Sequence, residues 1–548
     1  MAPRLLWAVS AGLLLGFSFP PLHLGALAFA GFLPLLLALD GLDGKFRRLC
    51  ILYAAFFCFC GAGNWWVLSW QKNTDPYLIL SGAALWIGHP FFFMLPFAAY
   101  RAVEKRIGRT TALLSLPVFW TSFEWLHSLS DASYPWLSLG YSQIYNLAVA
   151  QSADIGGVWI LSFLILLVNI LIALPIFRYL ELRGKMEFAS VFRMIFRSRE
   201  ALFIAIILIV AEIYGLRRIS EVERSTITAP KIEAAIVQPN IDPWKKWEGG
   251  VFDQVALHKR LADSLRRVRR YDLCVWSETS IPYLGMARST PEGLGFLQAW
   301  TDSSDAALLT GFSEFALYSK ATAPPTARPL PFDSSTYFGA YNAAALLPVG
   351  AASGKQRPTH RKMKLTPFAE RIPFVEYFPI AKKWLEWGVG ISDWQKGETQ
   401  KTLNFQSKNK SVRIGCIICI ESVYPDFVRN YTAEGANILA VITNDAWYNY
   451  TFGPEQHYQI AAMRAIENRR GIIRAANSGM SGFISPTGAS IYRAEPYKSL
   501  AAAASVPLIS TQTIYSRFGD WLPKLLTLIS VGIITYAILS HKFRKSTR

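Results

Sequence analysis

Apolar residues in this chain gather into runs separated by short polar stretches, and eight of the runs approach the width of a bilayer core. They cover about residues 5–19, 24–39, 49–70, 77–100, 112–127, 157–177, 201–216 and 522–540. A helix needs roughly 20 residues to cross the hydrocarbon, so each run predicts a membrane-spanning helix, the first two being short enough to merge into one hairpin. Arg4 precedes the first run as it would in a secretory leader, but no small-x-small cleavage site follows before the second. Between the seventh and eighth runs the texture changes. Over residues 231–508 short apolar runs alternate with amphipathic stretches, as in an α/β domain. Strands are predicted at 232–237, 273–276, 307–310, 342–347, 412–419, 438–443 and 471–476. Leu257, Leu261, Leu265 and Val268 recur at helical spacing between the first two. A Pro-rich stretch, 323–331, predicts an exposed loop. The expected architecture is a polytopic α-helical membrane domain (1–216), an α/β domain (217–520) and an eighth span with a basic tail (521–548).

Composition agrees. The 548 residues are 52% hydrophobic and 17% charged, against about 25% charged in soluble domains, which argues against a wholly soluble protein. The net charge of +18 invites a nucleic-acid partner, but the positions of the basic residues argue otherwise. Arg4 precedes the first run; Lys45, Arg47 and Arg48 follow the second; Arg101, Lys105, Arg106 and Arg109 follow the fourth. Arg178, Arg183, Lys185, Arg193, Arg197 and Arg199 follow the sixth, and Lys542, Arg544, Lys545 and Arg548 the eighth, while the alternate loops hold only Lys72. Lys and Arg accumulate on the cytoplasmic side of membrane spans. Both termini are therefore expected in the cytoplasm and residues 231–508 on the opposite side, with no nucleic-acid partner. Six cysteines in a chain of this length do not make a disulfide scaffold.

Three places in the α/β segment combine a reactive residue with an expected strand end: Val275-Trp276-Ser277-Glu278, Arg361-Lys362-Met363-Lys364 with Glu370 beyond it, and Gly415-Cys416-Ile417-Ile418-Cys419-Ile420-Glu421. Open α/β sheets gather ligand sites at strand C-termini, so these groups could converge. Singly, each has a bland explanation: an exposed Glu, a solvated Lys, a buried Cys. Two further patterns compete. Cys416 and Cys419 form a C-x-x-C, although strand alternation would send them to opposite faces and keep them from pairing. Glu124 and His89 lie within apolar runs and could mark a transport path.

Taken jointly, Glu, Lys and Cys in this chain order resemble the catalytic set of the nitrilase superfamily. Eight apolar runs with such a domain between the seventh and eighth resemble the apolipoprotein N-acyltransferase family, over essentially the whole chain. Supporting stretches are Val237-Gln238-Pro239-Asn240-Ile241, Pro135-Trp136-Leu137, Gly140-Tyr141-Ser142-Gln143 and Thr443-Asn444-Asp445-Ala446-Trp447-Tyr448. The resemblance implies an αββα sandwich in which Glu278 is the general base, Lys362 the catalytic lysine and Cys419 the nucleophile. It further implies a second essential carboxylate at Glu370, an acidic residue two past the nucleophile at Glu421, and a functional Trp at Trp247. The sequence departs from the family pattern at Ser277, Lys364, Ala369 and Ile420, which leaves Ile420 a backbone N–H role rather than a side-chain one.

The chemistry fits those residue types. A thiol with an ordinary pKa near 8.5 needs a base and a neighbouring cation to act as a nucleophile, and Glu278 and Lys362 are expected to supply them. Lys362 and the Ile420 N–H are the expected oxyanion donors. The resemblance implies a bacterial inner-membrane enzyme with its catalytic domain in the periplasm. A Cys419 thioester would be formed from a membrane phospholipid and passed on to the α-amino group of a diacylglyceryl-Cys apolipoprotein. Trp447 and Tyr448, amphipathic rings suited to an interface, are candidates for substrate access. No cofactor and no metal are expected. A membrane-tethered amidase, with water replacing the amine, is the main rival, and a transporter a weaker one.

Overall fold

The computed structural model describes residues 1–69, 76–183, 193–246, 250–286, 288–324, 327–330, 332–351, 357–367, 369–371, 373–374 and 394–546. Trp247, Lys72, Lys185 and parts of the Pro-rich stretch therefore lie outside the described residues. Two compact units are present, one comprising Met1–Trp70, Gly82–Glu221 and Phe518–Arg548, the other Gln71–Ser81 and Val222–Arg517, as far as their residues are described.

The first unit is helical. Among the described residues, Lys45–Leu68, Leu78–Arg106, Val158–Leu182 and Trp521–Ser540 are long and apolar enough to cross a membrane; Ala2–Phe17 and Gly25–Leu39 are shorter apolar segments. The expected second run is not one helix but a 3-10 turn, Gly25–Phe29, followed by a helix, Leu33–Leu39. Asn169 makes the break possible: its Oδ1 accepts the Phe32 N–H at 2.9 Å and its Nδ2 donates to the Ala28 carbonyl at 2.8 Å. Backbone groups freed by a helix break must be paired where water is scarce. The fourth run is likewise two helices, Pro76–Phe93 and Leu95–Arg106, with Pro96 in the first turn of the second, where its missing N–H costs nothing. Ala2–Phe17 and Lys45–Asn64 approach closely because Gly12 and Gly16 lack Cβ atoms. Added ones would lie 2.1 Å from the Ala55 carbonyl oxygen and 2.4 Å from Ala62 Cβ. The two residues that suggested a transport path have local partners. Glu124 Oε1 accepts from Trp120 Nε1 at 2.8 Å and the Leu139 N–H at 2.9 Å, and His89 Nε2 lies 3.0 Å from His127 Nε2.

The second unit stacks two sheets. In chain order its strands are β1 (Lys231–Gln238), β2 (Leu273–Val275), β3 (Ala307–Ser319), β4 (Arg328–Leu330), β5 (Asp333–Leu347), β6 (Thr359–Arg361), β7 (Leu403–Ser407), β8 (Lys410–Ile418), β9 (Ile438–Thr443), β10 (Ile472–Ala476), β11 (Gly482–Ile484), β12 (Ser490–Arg493) and β13 (Leu500–Pro507). One sheet runs β13-β1-β2-β3-β5-β4 with β6 added on β5, the other β12-β11-β10-β9-β8-β7. Their facing sides share one core, with Ile236, Val275, Leu309 and Leu346 from the first and Ile414, Cys416, Ile418 and Ile442 from the second. Alternate residues of the first sheet, among them Val237, Cys274, Trp276 and Leu308, pack outward against Val255, Ala262 and Trp300, which lie on the helices Val251–Val268 and Gln298–Ser304. The helices Pro425–Ala433 and Phe452–Asn468 contact β8 and β10 of the second sheet. The layers are thus α-β-β-α. Sheets covered on both faces need strands that are apolar throughout, which is why β1, β2, β8, β9 and β10 are readable as apolar runs. The Pro-rich loop expectation is corrected at β4, where Arg328 and Pro329 register with Phe338 and Tyr337.

Candidate active site

Parallel pairing of β1 with β2, β2 with β3, β8 with β9 and β9 with β10 aligns their C-terminal ends, and the reactive residues follow those ends. Glu278 comes just after β2, on a turn whose next residue, Thr279, is left-handed at φ 45°. The turn sits against β3 at Gly311, where an added Cβ would lie 2.6 Å from both the Ser277 carbonyl oxygen and the Thr279 nitrogen. Lys362 follows β6, with its N–H bonded to the Asn342 carbonyl at 2.8 Å. Cys419 follows β8 directly and is also left-handed, at φ 52°. Such backbone in non-glycine residues costs about 1–3 kcal/mol and clusters at functional sites.

The side chains converge. Lys362 Nζ donates to Glu278 Oε1 at 3.1 Å and Glu370 Oε1 at 2.8 Å, with Lys362 1% exposed. Burial opposes its charge, but Glu278 and then Glu370 more than offset this and hold the ammonium well above the usual lysine value. Glu370 is also buried, yet Lys362, together with the Thr366 N–H and hydroxyl, keeps it below the usual carboxylate range. Cys419 feels the same charges. Burial first, then Glu278, push its thiol up to about 12, against the opposing pull of Lys362. A thiol held so high would need a base to act as a nucleophile.

Glu421 joins the two halves of the site. One oxygen accepts from the Met363 N–H at 2.6 Å; the other accepts from the Ile418 N–H at 2.8 Å and lies 2.9 Å from His360 Nε2. It thus couples the residue before Cys419 to the residue after Lys362. Ile420 is buried in the same 3-10 turn, Cys419–Val423. Trp447 and Tyr448 follow β9, both partly exposed. Trp447 packs edge-on against Trp244, ring centroids 5.1 Å apart. Tyr448 lies close enough to the site that the charges of Cys419 and Glu370 add to burial in pushing its hydroxyl up. Trp247 falls outside the described residues.

One expectation about the two thiols is corrected. Cys416 and Cys419 do not alternate along one strand, because β8 ends at Ile418 and the chain turns. Cys416 is fully buried between the sheets, Cys419 packs at the edge of that core, and both are free thiols.

Several residues escaped the sequence reading. Asn342 Nδ2 donates to Glu278 Oε1 at 2.7 Å. A second set supports the Cys419 turn: Arg474 pairs with Asp445 at 2.9 Å, and His457 Nδ1 donates to Asp445 Oδ1 at 2.9 Å. His457 Nε2 lies 2.8 Å from Ser422 Oγ and 3.1 Å from the Cys419 carbonyl oxygen. Burial, then Arg474, lower the imidazole pKa, and both ring nitrogens have partners, Nδ1 at Asp445 and Nε2 in the Cys419–Val423 turn. Arg474 and His457 overcome the effect of burial and hold Asp445 down at about 2. Lys246 is fully buried against the Glu278 turn. The sequence carries little sign of these contacts, since single polar residues such as Lys246, Asn342 and His457 ordinarily read as solvated. Among the described residues no group of His, Cys, Asp or Glu side chains is arranged to hold a metal ion.

Comparison with known proteins places both units. Residues 11–171 match the apolipoprotein N-acyltransferase N-terminal domain and residues 233–513 the carbon-nitrogen hydrolase family. Over nearly its full length the chain is similar to proteins named apolipoprotein N-acyltransferase. It is 33% identical to that of Chlorobaculum tepidum, covering 98% of this chain and 96% of that protein. It is 28% identical to those of Geobacter metallireducens, covering 94% and 91%, and Pseudomonas aeruginosa, covering 100% and 98%.

Proposed function

This chain belongs to the apolipoprotein N-acyltransferase family, and on that premise we propose that Glu278, Lys362 and Cys419 carry its acyl transfer through a thioester. The enzyme is an N-acyltransferase of lipoprotein maturation with a nitrilase-like α/β domain. The observation that carries the catalytic reading is the single ammonium of Lys362 shared by Glu278 and Glu370, close enough to Cys419 that the charges of all three bear on its thiol.

In the first half-reaction Glu278 takes the thiol proton as Cys419 Sγ attacks the ester carbonyl of a membrane phospholipid. Lys362 and the Ile420 N–H stabilise the oxyanion. The C–O bond to glycerol breaks, Glu278 returns its proton to the departing alkoxide, and a lysophospholipid leaves. In the second, the α-amine of a diacylglyceryl-Cys attacks the thioester, Glu278 accepts a proton from nitrogen, the C–S bond breaks and the sulfur recovers a proton. Glu370 and Glu421 hold Lys362 and the nucleophile's turn in register. Trp247, Trp447 and Tyr448 are assigned to the path by which substrates enter.

Purified enzyme given phospholipid and a synthetic diacylglyceryl-Cys peptide should yield peptide heavier by one acyl chain on its α-amine. Release of free fatty acid with unmodified peptide would favour the amidase-like rival.

Eight spans, with residues 1–216 and 521–548 in a bacterial inner membrane, both termini cytoplasmic and residues 217–520 periplasmic, complete the proposal. The loop charges support it. Reporter fusions after Arg199 and after Pro239 should give opposite signals, and equal signals would overturn this topology.

A further inference from the structure

A lysine that the catalytic scheme does not use is sealed beneath the base. Lys246 is 1% exposed, and its Nζ donates to the Glu278 carbonyl oxygen at 2.9 Å and Thr279 Oγ1 at 2.8 Å. Its own carbonyl accepts from Gln254 Nε2 at 2.6 Å, which ties it to the helix Val251–Val268. Both groups it donates to belong to the turn that aims Glu278, and Thr279 in that turn is left-handed. On β3, Gly311 leaves the same turn no room to shift toward it.

We propose that Lys246 is a positioning residue for the acyl-transfer reaction, fixing the residue 278–279 turn so that the Glu278 carboxylate meets the Cys419 thiol. Burying a lysine that meets no carboxylate among the described residues is costly, and a role in folding alone could be filled by an apolar side chain. Two hydrogen bonds to uncharged acceptors match the two N–H groups of a neutral amine. Burial brings Lys246 down to about 7, with Glu278 opposing, so the residue can serve as a donor without adding a second full cation beside Lys362. The effect should fall on the chemical step, since a reacting group displaced by about 1 Å can cost roughly 10²-fold.

This inference rests on the thioester reading, and single-turnover formation of the acyl adduct from phospholipid tests it. In Lys246→Met the rate at saturating lipid should fall about 10- to 100-fold. The lipid concentration giving half the maximal rate should stay within about twofold, because Lys246 touches the base's turn and not the lipid. Thr279→Val, which removes one acceptor, should lose about tenfold, and Thr279→Ser, which keeps it, should stay near wild type. If Lys246→Met does not fold, the Thr279 pair decides. Rates within about twofold of wild type in Lys246→Met and Thr279→Val would overturn the assignment. So would a loss seen only as fewer active molecules or as weaker lipid dependence. A wild-type enzyme that forms no adduct would instead overturn the acyl-transfer reading on which the inference stands.

Discussion

Cys419→Ala is expected to abolish the acyl adduct and all N-acylation, while Cys416→Ala keeps both and loses only stability. The two thiols are three residues apart, and burial raises both, but they differ in exposure and in the charged groups near them. Cys416 lies wholly inside the core between the sheets, where burial holds its thiol far above the usual value and where it serves as a small apolar filler. Its replacement by Ala should cost about 1–2 kcal/mol. Cys419 lies past the end of β8, turned by its left-handed backbone toward Lys362 and Glu278. Cys419→Ser should also fail, since a hydroxyl is harder to ionise and His457, the nearest imidazole, has both nitrogens engaged. Intact mass after incubation with phospholipid reads the outcome. Equal loss in Cys416→Ala and Cys419→Ala, with a disulfide between them in wild type, would replace acyl transfer with redox chemistry.

Glu278→Gln should lower adduct formation by at least about 10³-fold, and Lys362→Ala should bring it below detection. Burial and then Glu278 hold the Cys419 thiol up at about 12, so little thiolate stands ready near neutral pH and the proposed attack is expected to depend on proton removal by Glu278. Gln keeps the shape and the Asn342 contact but cannot take the proton. Removing the Lys362 ammonium deletes the proposed oxyanion donor and leaves Glu278 and Glu370 without the cation they share. A buried pair that loses its partner typically costs about 3–5 kcal/mol, so Lys362→Ala should also melt earlier, whereas Glu278→Gln should not. An adduct at the normal rate in folded Glu278→Gln would remove the base from the mechanism.

What could be read from the sequence follows from what burial and strand ends impose. Strands covered on both faces announce themselves as Ile- and Val-rich runs, as at β8 and β9. The polar strands β7 and β12 do not, and β13, Leu500–Pro507, is written largely in alanine, a helix former, yet pairs along all of β1. Glu278 and Cys419 stand out because each follows an apolar strand, whereas Lys362, which follows the polar Thr359–Arg361, and Glu370 and Glu421 are picked out only by the joint Glu-Lys-Cys order and the family resemblance it carries. Lys246, Asn342 and the Arg474–Asp445–His457 set do not stand out, since their partners lie 12 to 64 residues away and no local pattern links them. In the membrane part, hydropathy gave the apolar runs but not the breaks within them. The break near Phe32 depends on Asn169, 137 residues further along the chain.

The central claim is that acyl transfer proceeds in two steps through Cys419. Intact mass of wild-type enzyme, first given phospholipid alone and then chased with a diacylglyceryl-Cys peptide after the lipid is removed, tests it most directly. A fatty-acyl thioester mapped to Cys419 should appear in the first stage and vanish in the second as an equal amount of N-acylated peptide forms. N-acylated peptide that forms only when both substrates are present together, with Cys419 unmodified throughout, would contradict it.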